Sequence, residues 1–123
     1  MTPQELRGRV DRLADGVVTL CRSTATDTLS ARLLGQLQDA ATSAAANYRA
    51  ACRGQTKPAF IAKLSIALEE ADETVFWLQR LSNQRLGDPN AVARLLQEAG
   101  EICAILNASR ETATGRRGRR SRP

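Results

Sequence analysis

Four carboxylates, Glu69, Glu70, Asp72 and Glu73, crowd into five consecutive positions, and Glu69 and Glu73 stand one helical turn apart. Carboxylates on one helix face are what a di-metal bundle uses, but such a site also takes Glu-x-x-His pairs, and this chain has no histidine. No metal or other cofactor is therefore expected. Nucleophilic chemistry finds no base either. Serine, threonine and cysteine are present without histidine, and there is no GxSxG, SxxK or glycine-rich phosphate loop. Lys57 and Lys63 are the conceivable lysine bases, and both read as exposed near a turn. No catalytic residue is expected, and the chain does not read as an enzyme.

The elements that must position these acids are written between Ala41 and Leu81 as two long helices joined by the turn GQTK. Folding one helix back on the other about residues 54–57 pairs positions whose numbers sum to roughly 111. That register sets Asn47 near Leu64 and Thr42 or Ser43 near Glu69. Ser43, Asn47, Glu69, Glu70, Asp72 and Glu73 then read as one satisfied polar layer that fixes register among interchangeable alanines.

Four helical stretches follow from apolar spacing. Leu6, Val10, Leu13, Val17 and Leu20 make the first stripe, with Thr2 and Pro3 at its start. Polar residues 22–28 make a loop. A second helix, about Leu29 to Arg53, carries Leu29, Leu33, Leu37, Ala41, Ala44, Tyr48 and Ala51, with Gly54 as a left-handed cap. Its small residues invite close approach of a neighbour. The third, about Lys57 to Leu86, carries Ile61, Leu64, Leu68, Ala71, Val75 and Leu78, with a flanking stripe through Phe60, Ala67 and Leu81. Phe76 and Trp77 fall beside these stripes, an apolar excess that suits an oligomer interface. After the turn at Gly87 to Asn90, the fourth helix, about Pro89 to Thr112, carries Val92, Leu95, Leu96, Ala99, Ile102, Cys103 and Leu106. Four helices with short connections predict an all-α antiparallel up-and-down four-helix bundle over residues 1–113.

At 123 residues the chain is long enough for one core and short for a second module. No stretch approaches the roughly 20 apolar residues of a membrane span, and the N-terminus is charged, so the expected address is the cytoplasm, with no membrane partner. Cys21, Cys52 and Cys103 share no ligand spacing and read as small apolar residues on helix faces. The formal charge is +5, from 18 basic and 13 acidic residues. Arg116, Arg117, Arg119, Arg120 and Arg122 supply that excess, so the body is left at 13 against 13. Residues 114–123, with their Gly, Ser, Pro and Arg content, read as a disordered, solvated tail.

Taken together, ATSAAANYRAACR, FIAKL and EEADETVFWL resemble the small bacterial four-helix-bundle family named for the intervening sequences of 23S rRNA genes, in which members were found encoded. The accessory variability determinant of diversity-generating retroelements is a relative. The resemblance is strong over residues 29–81 and rests on pattern alone outside them. It implies a homopentamer of bundles, no catalysis and a nucleic-acid role. It carries the family motif onto Ala41, Thr42, Ser43, Asn47, Tyr48, Arg49 and Ala51, and onto Phe60, Ile61, Lys63, Leu64, Glu70, Ala71, Asp72, Glu73, Trp77 and Leu78. Asp39 departs from the family, where many relatives have Arg; a phosphate contact there would be replaced by repulsion.

Arg49, Arg53, Lys57 and Lys63 gather around the turn between the second and third helices, making one end of the bundle basic. The plain alternative pairs Arg49 with an acid of the third helix and leaves the others solvated. The tail arginines add a flexible polycation suited to salt-sensitive contact with RNA or DNA, or else they only solubilise. Two readings stay open: a nucleic-acid-associated oligomer, and a structural or protein-interaction bundle. Within the first, an accessory subunit that partners a reverse transcriptase stands second to a ribosomal-RNA-linked protein.

Overall fold

A computed structural model of the chain describes residues 1–115. It contains four helices, α1 (Pro3–Arg22), α2 (Thr28–Cys52), α3 (Lys57–Gln84) and α4 (Pro89–Thr114), and no strand among the described residues. Each helix packs on the next, most extensively α2 on α3, and α4 returns to α1 in the least extensive of these contacts. The short connections make successive helices run in opposite directions. α4 runs two residues past the expected Thr112, to Thr114, so residue 114 is helical and not part of a tail, and Gly115 caps the helix at φ 78°. The tail arginines Arg116, Arg117, Arg119, Arg120 and Arg122 lie outside the described residues.

Every helix begins on a side-chain oxygen that accepts an otherwise unpaired backbone N–H. Thr2 accepts from Glu5 at 3.1 Å, Asp27 from Ser30 at 2.7 Å, Thr56 from Ala59 at 3.2 Å and Asp88 from Ala91 at 2.9 Å. The bonds that Asp27 accepts hold its carboxyl below the usual range. Proline takes the first helical position of α1 and α4 and the second of α3, where its missing N–H costs nothing.

Gly54 is not the left-handed cap expected of it. α2 closes on Arg53 in the right-handed region, and positive φ among the described residues falls at Arg85, Gly87 and Gly115. Gly54 serves close approach instead. A Cβ there would sit 3.0 Å from the Phe60 backbone nitrogen and 3.1 Å from the Ala51 carbonyl oxygen. The turn is tight because no side chain intervenes between the end of α2 and the start of α3.

The α1 stripe is buried in full, joined by Ala14. In α2 the core face runs through Leu34, Leu37, Ala40, Ala41, Ala44, Tyr48 and Ala51, whereas Leu29 is 77% exposed and Leu33 half-buried. The spacing explains the departure. Each step of four residues advances about 40° past a full turn, so three such steps from Ala41 carry Leu29 about 120° off the core. In α3 the flanking stripe takes the centre: Leu64, Ala67, Ala71, Leu78 and Leu81 are inaccessible, while Ile61, Leu68 and Val75 are half-buried. Thr74 is the buried polar residue of the core, and its hydroxyl donates to the Glu70 carbonyl at 2.8 Å. Alanines of α2 and α3 thus face one another along a seam that brings the two backbones close.

Candidate nucleic-acid interface

The α2–α3 turn, the start of α1 and the end of α4 meet at one end of the bundle. Met1, Phe60, Ile105, Ala108 and Thr112 line a shared depression there. Arg49, Arg53, Lys57 and Lys63 all stand at this end, and all four are exposed. Among the described residues none of them has an ion-pair partner. Ion pairing within the bundle is seen instead at Arg9, whose guanidinium bridges α1 to Glu98 and, at 3.1 Å, to Glu101 of α4. Those bonds hold the Arg9 pKa above its ordinary value. Arg49 therefore does not pair with an acid of α3.

Helix stability accounts for half of the basic cluster. Arg49 and Arg53 sit at the C-terminus of α2, where a cation complements the helix dipole. Lys57 is the first residue of α3, where a cation opposes the dipole, and α3 has no acid in its first turn to offset it. The end thus concentrates positive potential beyond what holding its helices requires.

The antiparallel order sorts the remaining charges into zones that the linear sequence hides. Arg7 and Arg110 join the basic end, which holds only Glu5 and Glu111 as acids. The waist carries Asp11, Asp15, Asp39, Glu69, Glu70, Asp72, Glu73, Glu98 and Glu101 against Arg9 and Arg12. The far end carries Arg22, Arg32, Arg80, Arg85 and Arg94 against Asp27 and Asp88. Arg7, Arg110 and the far-end arginines were missed in the sequence; only knowledge of which helix ends meet could have grouped them.

The polar residues singled out on the hairpin come together in part. Asn47 Nδ2 donates to the Ser43 carbonyl at 2.9 Å and to Ser43 Oγ at 3.1 Å. The Ser43 hydroxyl lies close enough to the Glu70 carboxylate to act on it across the α2–α3 groove. Burial, then the neighbouring Glu73, raises the Glu70 pKa, and Ser43 opposes that rise. Glu73 is exposed and accepts from Trp77 Nε1 at 3.2 Å. Glu69 and Asp72 are exposed, and Asp72 lies on the α4 side, where it acts on Cys103. Ser43, Asn47 and Glu70 are half-buried, so this is a partly wet rim along the α2–α3 groove.

No group of three or more Cys, Asp or Glu side chains among the described residues is arranged to hold a metal ion. The three cysteines are unpaired; burial pushes the Cys21 and Cys103 thiols up to about 11, while Cys52 is exposed at the end of α2. Burial likewise raises the Tyr48 phenol, whose neighbour is Cys52. Among the described residues no helix is long and apolar enough to cross a membrane.

Phe76 and Trp77 lie in the far half of α3. Phe76 is 45% exposed, its ring meets Trp77 edge to face at 4.9 Å, and the Arg80 guanidinium lies over it at 4.9 Å. Leu29 and Leu33 flank Trp77 from α2. These residues form an apolar surface across the α2–α3 groove.

Fold and surface together define an all-α four-helix bundle with a basic end, a class with many members. The particular family is fixed by sequence: the chain belongs to the 23S rRNA-intervening sequence protein family, whose pattern it matches over residues 8–108. Among solved structures it is similar to a protein of unknown function from the S23 ribosomal protein family of Bacteroides thetaiotaomicron VPI-5482. The two share 25% identity with a TM-score of 0.77 over 90% of this chain and 99% of the other. A search of curated proteins found no match.

Proposed function

We propose that this protein is a non-catalytic, self-assembling bundle that holds structured RNA through its basic end. One observation carries the reading: Arg49, Arg53, Lys57 and Lys63 are exposed and free of ion pairs at the end where the chain leaves α4 toward its arginine-rich terminus. The family name, which ties its members to ribosomal RNA genes, supports the choice of RNA. Assembly into a ring, a homopentamer by resemblance, places the Leu29, Leu33, Phe76 and Trp77 surface between subunits. Cyclic symmetry then turns every basic end to the same side.

Salt dependence of RNA binding tests this. If four folded cations and the five arginines beyond Gly115 all reach phosphates, log K falls with log salt at a slope of about −8 on a duplex. Neutralising Arg49, Arg53, Lys57 and Lys63 to Gln should cut that slope by roughly 4. Ending the chain at Thr114 should cut it by roughly 4 to 5. Neutralising Arg32, Arg85 and Arg94 at the far end should leave it nearly unchanged. Failure of the full chain to retain RNA at about 50 mM salt, where phosphate contacts are strongest, overturns the proposal.

A further inference from the structure

The position of the aromatic side chains relative to the basic end specifies which form of nucleic acid that end accepts. We infer that the basic end engages the phosphate backbone of a duplex and does not read unstacked bases. The inference rests on the polyanion reading of that end and deepens it.

Binding a single strand without sequence preference combines a cationic track with aromatic platforms on which bases stack. The chain has one Tyr, two Phe and one Trp. Tyr48 is 3% exposed and belongs to the core, and Phe60 is half-buried and packed against it. Phe76 and Trp77 lie about 30 Å down α3 from Lys57, at 1.5 Å per residue. Residues 116–123 contain no aromatic residue. A base splayed out at the basic end therefore finds no freely exposed ring; Phe60 lines the depression there but is half-buried against the core.

What that end does offer is charge at fixed places. Arg49 and Arg53 are one turn apart on α2, and Lys57 and Lys63 are six residues apart on α3, about 9 Å along the axis. Such a set suits a rigid ladder of phosphates, since a flexible strand must first be ordered at an entropic cost. A duplex also presents about one charge per 1.7 Å of axis and releases about 0.9 counterion per contact, against about 0.7 for a single strand. The acidic waist confines any polyanion to the end of the bundle, because a strand running down α3 would meet Glu69, Asp72 and Glu73.

The test measures binding of the full chain to an RNA duplex of about 20 base pairs and to a uridine strand of matched phosphate number, at about 0.1 M salt, where neighbouring charges are still felt. The duplex should bind at least about five-fold tighter, with the steeper salt slope. Substituting all five terminal arginines by Lys keeps charge but removes planar stacking, and the preference should survive it. The preference should disappear when Arg49, Arg53, Lys57 and Lys63 are replaced by Gln, and its persistence there would assign it to the terminus and overturn the inference. Equal or tighter binding of the uridine strand also overturns it while leaving the RNA-binding proposal standing. Binding of neither removes both.

Discussion

Replacing Ala44 by Leu tests the seam that places the two cationic helix ends side by side. Ala44 is fully buried, and so are Ala41 on its own helix and Ala67 and Ala71 on α3. Burying the three added carbons would stabilise by about 0.8 kcal/mol each if space existed. Ala44 is wholly buried on the most extensively packed helix pair, so the added side chain is expected to push the helices apart or leave its rotamer well. Overpacking of this kind costs about 1–3 kcal/mol, counted net of the burial it brings. For a domain of this size each kcal/mol moves Tm by roughly 3–5 °C, so Ala44→Leu should lower Tm by about 5–10 °C. Ala46→Leu is the control: Ala46 is exposed on the same helix, and Leu is nearly as good a helix former as Ala. Thermal unfolding followed by circular dichroism reads both. A Tm for Ala44→Leu at or above that of the parent would show that α2 and α3 do not meet through their alanines.

Glycines in the helices separate local preference from packing: Gly35→Ala adds a Cβ with nothing within 4 Å and should stabilise by about 0.5–1 kcal/mol. Gly16→Ala would place its Cβ 2.9 Å from Leu95 Cδ2, and displacing that side chain should cancel the gain, so equal Tm increases for the two would refute the α1–α4 contact. Glu70 has a folded pKa raised above its unfolded value, so the native state binds the proton more tightly and stability falls as pH rises through that window. Glu70→Gln should therefore raise Tm near pH 7, and the difference should vanish near about pH 4; a difference constant with pH would rule out the ionised carboxylate as its cause. Replacing Phe76 and Trp77 together by Ala should lower the mass seen by light scattering while leaving helix content in place, and an unchanged mass would move the subunit contact elsewhere.

Much of the fold is written locally. The α1 stripe follows from spacing alone because each of its residues is large and apolar and most residues between are charged or small. α2 is harder to read: its alanines carry little contrast, so Leu29 and Leu33 look like core although rotation takes them outside. Thr74 looks polar and is buried, since its hydroxyl is satisfied by its own helix. Gly54 shows that a glycine after a helix need not mark a left-handed turn; the close approach of Phe60 that excludes a side chain is a tertiary fact. The polar rim was legible as a set of residue types but not in which of the neighbouring acids is half-buried, since Glu70 is and Glu69 is exposed. The basic turn was visible because its four cations are near in sequence. Arg7 and Arg110 were not, because they reach that end only through the topology.

The alternation of charge along the bundle makes the described body a linear quadrupole with no net charge. Its two like ends cancel each other's dipole, and the oppositely charged middle cancels their sum. Such a field dies away faster with distance than that of a monopole, and salt of physiological strength screens what remains beyond about 8 Å. A distant polyanion therefore senses the monopole of the terminal arginines and senses the folded cations only at near contact. If the chain holds RNA as proposed, encounter rates should follow the terminal arginines and the lifetime of the complex should follow the bundle end.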